Sequence, residues 1–180
     1  MSIWVIFIGF MILSWIVSAV LKSKFKKYSK IPVDGGLSGK DVAEKMLRDN
    51  GIYDVRVECV QGSLTDHYNP DKKTINLSQD VYSSRSIAAA AVAAHETGHA
   101  IQHATAYAWL GFRSKLVPPV SFASKWVQWI LLLGVILVNT FPAILGFGIV
   151  LFALTTIFSF VTLPVEVNAS QRALDRKSVV

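Results

Sequence analysis

Three long apolar segments limit the possible folds of this 180-residue chain more than any other feature. Residues 2–21 contain no charged side chain, residues 142–163 contain none, and residues 120–139 contain a single lysine. About 20 helical residues, rising about 1.5 Å each, cross the roughly 30 Å hydrocarbon core of a bilayer. Residues 1–21, 120–139 and 142–163 are therefore predicted transmembrane helices, and the last two form a tight hairpin.

The first apolar segment is predicted to remain in the protein as an anchor and not to be a cleaved signal peptide. Its positive residues follow the apolar stretch instead of preceding it, and no small-x-small cleavage site comes before them. Hydrophobic residues make up 52% of the chain and charged residues 17%, which also favours an integral membrane protein.

The basic residues predict the orientation of the three spans. They follow the first span, precede or open the second and follow the third, and no Lys or Arg occurs before residue 22 or in the hairpin link. By the positive-inside rule that common side is cytoplasmic, so the N-terminus and the hairpin tip lie outside. The net charge of +6 then reflects topology and anionic lipid headgroups. No nucleic-acid-binding motif is present, and no nucleic-acid partner is predicted.

An H-E-x-x-H motif lies in an alanine-rich stretch, residues 85–109, that is predicted to be one helix. On a helix His95 and His99 are one turn apart, so both imidazoles can reach one zinc ion, and Glu96 can hold a water bound to it. Zinc lowers the pKa of such a water towards 7, and the carboxylate takes its proton. The helical Gly98 predicts that space is needed beside the metal.

The third zinc ligand is predicted from charge and distance. His103 is eight residues from His95, about 12 Å along a helix, which is at the limit of what two imidazoles can span around one ion. Glu166 is preferred, because an isolated charge just beyond an apolar run needs a reason. The alternative for Glu166 is an interfacial carboxylate paired with Arg172. One zinc ion per chain is expected.

Residues 22–84 are predicted to form a basic juxtamembrane segment and a small α/β part. Ser38 can cap a helix that ends at Asn50, residues 55–59 and 74–78 have strand patterns, and residues 69–73 form a turn. The polar stretch 66–68 is either a site wall or ordinary turn chemistry. Cys59 is the single cysteine, so no disulfide and no cysteine-based metal site is expected.

Three stretches resemble the YugP-like neutral zinc metallopeptidases of bacterial membranes. They are D-H-Y-N-P at residues 66–70, A-A-H-E-T-G-H-A-I-Q-H at residues 93–103 and L-P-V-E-V-N-A-S at residues 163–170. The resemblance implies a bacterial cell-membrane endopeptidase with His95, His99 and Glu166 as zinc ligands and Glu96 as base. Residues 110–119 are predicted to be a linker, and residues 164–174 a separate helix that carries Glu166. Side chains expected in a supporting shell or beside the substrate are His103, Asp66, His67 and Asn168.

The predicted fold is a mainly α integral membrane protein with three transmembrane helices and a small α/β, zincin-like cytoplasmic part carrying the H-E-x-x-H helix. The predicted function is hydrolysis of protein or peptide substrates, membrane proteins among them, in contact with the lipid bilayer. One alternative is a non-proteolytic scaffold with a structural zinc, which would not need the base Glu96. Another is a protease with its zinc deep in the bilayer, which the polar residues around the motif disfavour.

The last six residues, 175–180, are expected to be a non-native tail. They are the residues that GATCGGAAGAGCGTCGTG encodes, and this string belongs to a common sequencing adapter whose next codon in that frame is a stop. Relatives of this kind continue further, so the natural protein is expected to be longer. Any other codon choice in the nucleotide sequence would contradict this interpretation.

Overall fold

The computed structural model describes residues 3–174, which are mainly helical and include one three-stranded sheet. In chain order the elements are α1 (Ile3–Tyr28), a 3-10 turn (Asp34–Gly36), α2 (Gly39–Asp49), β1 (Arg56–Val60), β2 (His67–Asn69), β3 (Thr74–Ser78), α3 (Gln79–Tyr82), α4 (Ile87–Ala104), α5 (Ala108–Ile136) and α6 (Pro142–Leu174). The chain forms two compact units that divide inside helix α4, after Thr97. The expected non-native tail lies outside the described residues.

Helix α1 of the first unit is apolar on all sides and exposes its large side chains along its length. A helix without a polar face is typical of a membrane span, because lipid can cover every side of it. Its 26 residues correspond to about 39 Å. It therefore runs beyond the predicted boundary at residue 21 and includes the first four lysines of the basic segment.

Helix α2 begins and ends where the local sequence predicts. The Ser38 hydroxyl accepts a hydrogen bond from the Asp41 backbone N–H at 3.2 Å, and the Asp41 carboxylate accepts one from the Ser38 N–H at 2.9 Å. These two bonds form a capping box, and the Ser38 hydroxyl lowers the pKa of Asp41. Gly51, just past the helix, has the positive φ of +71° that a helix end favours.

The sheet has the order β1-β3-β2, with β1 parallel and β2 antiparallel to the central strand β3. Every residue of β3 is buried, so it is the core of this unit, and both predicted strands are present within one residue. The predicted polar stretch 66–68 contains the start of an unpredicted third strand, β2. Asp66 fixes this region, because its carboxylate accepts hydrogen bonds from the Ser78 N–H at 2.7 Å and the Ser78 hydroxyl at 3.0 Å.

The second unit contains the antiparallel pair α5 and α6. The helices approach closely at Gly134, where an added Cβ would lie 2.6 Å from Leu145 Cα. Twenty-one residues separate Arg113 from Gly134, and 21 separate Leu145 from Glu166. The lengths of α5 and α6 between this contact and the two charged residues, here called the two legs of the hairpin, are therefore equal. Equal legs place Arg113 opposite Glu166, and their side chains lie 3.6 Å apart.

Two predicted interruptions of these helices are wrong. Residues 110–119, predicted as a linker, lie inside α5, which continues through Pro118 and Pro119. Residues 142–163 and 164–174 were predicted as two separate helices, but helix α6 continues through Pro164 and includes both. A proline removes one backbone hydrogen bond and tends to kink a helix, but apolar spans tolerate it when neighbouring groups compensate. The described residues include three helices, α1, α5 and α6, that are long and apolar enough to cross a membrane.

Candidate metal centre

Helix α4 is rich in alanine and contains the H-E-x-x-H motif. The Ser86 hydroxyl accepts a hydrogen bond from the Ala89 N–H at 3.2 Å, which caps the start of the helix. Small buried residues then let other backbone segments approach closely, and they are Ala88, Ala89, Ala90, Ala93, Ala94 and Ala100. The helix is continuous across the division between the two units, so the helix itself sets His95 one turn from His99.

Three potential metal ligands converge in the structure. The ligand atoms of His95, His99 and Glu166 all lie within 4.8 Å of one another. Within the cluster, His99 Nε2 and Glu166 Oε2 are 3.4 Å apart. His99 is buried, whereas His95 and Glu166 are half-buried, so the cluster is open to solvent on one side. Among the described residues His103 does not belong to this group, and its side chain is exposed.

The second carboxylate oxygen of Glu166 faces a cation. Arg113 Nη2 lies 3.6 Å from Glu166 Oε1, while Oε2 is the oxygen near His99. The Arg113 Nε–H is buried and has no hydrogen-bond partner among the described residues. The arginine therefore offsets part of the carboxylate charge and directs one oxygen towards the histidines. Arg172, the alternative partner predicted for Glu166, donates its Nε–H to Asn168 Oδ1 at 2.8 Å.

Glu96 is positioned by the strand that was not predicted. The Tyr68 backbone N–H in β2 donates a hydrogen bond to Glu96 Oε2 at 3.1 Å. This bond orients the Glu96 carboxylate, which lies next to His95 in the sequence of α4. Burial raises the pKa of the Tyr68 phenol to about 12, with a smaller contribution from the charge of Asp54.

Gly98 allows close approach of α6 to α4. A Cβ at this position would lie 2.5 Å from the Ala169 carbonyl oxygen. Gly98 was predicted to leave space beside the metal. In the structure the backbone of α6, in the turn after Glu166, occupies that space. The glycine lets the two ligand-bearing helices come close enough for the His99 and Glu166 side chains to meet.

Gln102 is a residue of the centre that was not predicted. Its side chain is fully buried, and its Oε1 lies 3.0 Å from His99 Nδ1. Its amide nitrogen donates to the Val165 carbonyl at 2.8 Å and to Asn168 Oδ1 at 3.0 Å. The sequence signal was its position three residues after His99, which puts both side chains on one face of the helix. Asn168, predicted as a supporting residue, lies in this hydrogen-bonded chain.

The remaining predicted residues make local contacts in the first unit. Asp66 is engaged with Ser78, as described above. His67 is exposed, its Nδ1 lies 2.7 Å from the Thr65 carbonyl, and its Nε2 lies 3.1 Å from the Asn76 amide nitrogen. Neither residue belongs to the cluster of potential ligands found among the described residues. Their hydrogen bonds organise the end of the sheet, and a role beside the substrate stays a prediction.

Two histidines of an H-E-x-x-H helix and a nearby glutamate are the ligand types of zinc metallopeptidases as a class. The chain belongs to one family of that class, described as "Putative neutral zinc metallopeptidase", whose model matches residues 3–177. The chain is also 48% identical to the "Putative membrane protease YugP" of Bacillus subtilis (strain 168) over 153 residues, which cover 85% of this chain and 67% of that protein. No solved structure matches the chain. The predicted family membership is therefore confirmed.

Proposed function

We propose that this protein is a membrane-bound zinc metalloendopeptidase of the bacterial cell membrane, with one zinc ion per chain and an active site that faces the cytoplasm. The observation that carries the proposal is the convergence of His95, His99 and Glu166, with ligand atoms within 4.8 Å of one another. Two imidazoles and one carboxylate are a ligand set of catalytic zinc sites, which keep the fourth position for water.

The distances within the cluster fit a zinc ion. With metal–ligand bonds of about 2.1 Å, two ligand atoms of a tetrahedral ion lie about 3.4 Å apart. His99 Nε2 and Glu166 Oε2 are already at 3.4 Å. The remaining separations, up to 4.8 Å, need only small side-chain rotations to reach the same value. His95 and Glu166 are half-buried, so water can reach these two side chains.

Glu96 supplies the proton transfer in this proposal. Zinc, when bound, provides a Lewis acid that lowers the pKa of its water towards neutrality. Glu96 would accept a proton from the water that attacks the peptide carbonyl carbon. It then gives a proton to the amide nitrogen as the C–N bond breaks, so the base is regenerated. The hydrogen bond from the Tyr68 N–H keeps the carboxylate oriented during both steps.

The length of the hairpin supports a site at the level of the lipid headgroups. The 21 residues between the Gly134 contact and Arg113 span about 32 Å, close to the thickness of the hydrocarbon core. A hairpin tip at one surface would therefore bring Arg113 and Glu166 to the other surface. The basic residues support the cytoplasmic assignment of that surface. Protein or peptide segments near the membrane, including those of membrane proteins, are the proposed substrates.

Zinc content and proteolysis of the full-length protein, purified in detergent, test the proposed activity. The Glu96→Gln variant should keep its zinc but lose hydrolysis of an unstructured protein such as casein by about 10²–10⁴-fold, because the amide keeps the shape and loses the base. Wild-type activity in this variant would contradict the role of Glu96. Zinc binding without proteolysis by the wild-type protein would favour the scaffold alternative.

The single cysteine offers a native probe of orientation. Cys59 is exposed, so a membrane-impermeant maleimide should label it only after cells are permeabilised. A matched variant, Cys59→Ser with Asn139→Cys at the hairpin tip, should be labelled in intact cells. The opposite pattern would place the proposed site outside the cytoplasm.

A further inference from the structure

We propose that Gln102 is a positioning residue that fixes the orientation and tautomer of His99 and attaches it to the helix that carries Glu166. This inference deepens the proposed function and rests on it for the identity of the metal. All the residues involved lie in the second unit, on helices α4 and α6. Gln102 is fully buried, and both polar atoms of its side chain have hydrogen-bond partners.

The orientation of the Gln102 amide follows from its partners. The Val165 carbonyl can only accept a hydrogen bond, so the atom of Gln102 that lies 2.8 Å from it is the NH2 nitrogen. A second contact agrees, since Asn168 accepts from the Arg172 Nε–H through the same oxygen that Gln102 approaches. The opposite atom of the amide is therefore the carbonyl oxygen Oε1.

This orientation determines the proton position on His99. Oε1 of Gln102 can only accept, so the His99 Nδ1 atom at 3.0 Å must carry the hydrogen. In the neutral imidazole Nε2 then holds a lone pair, and it faces Glu166 Oε2 at 3.4 Å. Two acceptors at this distance repel each other unless a proton or a metal ion lies between them. Gln102 thus directs the lone pair that a metal ion needs towards the third ligand.

The second function of Gln102 is to connect the two ligand-bearing helices. Its amide hydrogens bond to the Val165 carbonyl and to the Asn168 side chain, the residues one before and two after Glu166. One side chain therefore contacts a histidine ligand at one end and the helix of the glutamate ligand at the other. Displacement of α6 would pull on His99 through the same amide.

The first test uses the wild-type protein without metal. Histidine side chains are labelled with 15N, and the ring nitrogen shifts, which distinguish the Nδ1–H form from the Nε2–H form, are recorded in detergent. The chain has four histidines, so His99 is assigned by replacing the other three one at a time. His99 should be in the Nδ1–H form. A predominant Nε2–H form would overturn the inference, whether or not the protein cleaves peptides.

The second test measures zinc affinity by competition with a chelator. Gln102→Met keeps the size of the side chain and removes its hydrogen bonds, and it should weaken zinc binding about 10–100-fold and raise the Nε2–H population of His99. Gln102→Glu keeps the acceptor for His99 and should retain the Nδ1–H form, although it loses both donors to α6. The control is Thr97→Val, a fully buried position on the same helix whose hydroxyl bonds to the Ala93 carbonyl.

The outcomes separate this inference from the proposed function. Equal zinc affinity in folded Gln102→Met and Thr97→Val would overturn the positioning role while leaving the zinc site intact. Loss of zinc by Gln102→Met, with proteolysis absent even from the wild type, would support the positioning role and contradict the peptidase activity. If Gln102→Met does not fold, the wild-type tautomer still decides the question.

Discussion

The close approach of α4 and α6 makes Gly98→Ala the most informative single substitution in this protein. A Cβ at residue 98 would lie 2.5 Å from the Ala169 carbonyl oxygen, against 3.4 Å for an ordinary contact, so the helices must separate by about 0.9 Å. The obstacle is backbone, which cannot rotate away as a flexible side chain would. Overpacking of this kind costs about 1–3 kcal/mol, and the better helix propensity of alanine returns about 1 kcal/mol. The net loss of stability should therefore be about 0–2 kcal/mol.

The effect of Gly98→Ala on metal binding should be larger than its effect on folding. The 3.4 Å between His99 Nε2 and Glu166 Oε2 would grow to about 4.3 Å if the helices separate along that line. Metal–ligand distances tolerate changes of only about 0.2 Å, so the His99 and Glu166 side chains would have to rotate away from their observed positions to keep the ion. Zinc affinity should fall by about 10–100-fold, because the support that positions these ligands is disturbed.

Two measurements and one control test this reasoning. Thermal unfolding without metal reports the packing cost, and chelator competition reports zinc affinity, both in the same detergent. Gly111→Ala in α5 is the matched control, because an added Cβ there meets nothing within 4 Å. It should bind zinc as the wild type does. A Gly98→Ala variant with wild-type zinc affinity would refute the claim that this glycine sets the ligand separation.

Three other substitutions test the ligand set, the hairpin and the small α/β part. Glu166→Ala should lower zinc affinity far more than His103→Ala, and equal losses in chelator competition would contradict the choice of Glu166. Gly134→Ala should destabilise the hairpin by about 1–3 kcal/mol in thermal unfolding, because its Cβ would lie 2.6 Å from Leu145 Cα; an unchanged midpoint would contradict this packing. Asp41→Asn should cost about 0.5–1 kcal/mol at neutral pH. Because the pKa of Asp41 is below its ordinary 3.8, this difference should be present above that pH and fade as the pH falls below it, whereas a constant difference would exclude the capping carboxylate as its cause.

Local signals in the sequence predicted the parts of the fold that depend on neighbouring residues. Ser38 and Gly51 mark the two ends of α2. The side-chain cap at one end and the positive φ at the other each depend only on residues a few positions away, so the sequence predicts both. The strand at residues 74–78 was predicted at its observed bounds. The three apolar helices follow from length and hydropathy, which need no knowledge of tertiary contacts.

Features that depend on distant contacts were not predicted. Strand β2 has only three residues, too few for an alternating pattern, and it exists because β3 offers it an edge. Gln102 was not predicted as part of the site, since its partners Val165 and Asn168 are more than 60 residues away. Pro164 was read as a helix break, whereas the surrounding helix continues through it.

The clustering of Glu166 with the histidines was expected partly from its isolated charge and partly from the family resemblance. Neither source gives the geometry, which depends on the equal lengths of the two legs of the hairpin. Its identity as a zinc ligand stays a prediction that the substitutions above can test.

The equal legs of the α5–α6 hairpin have a consequence for how this protein can change during evolution. One residue inserted into either leg would rotate everything beyond it by about 100° and shift it by about 1.5 Å. Glu166 would then turn away from the histidines, and Arg113 would lose it. Insertions therefore have to be matched in the two legs and come as complete turns. Lengthening one span alone would separate Arg113 from Glu166, so the lengths of the two spans and the geometry of the ligand cluster are coupled.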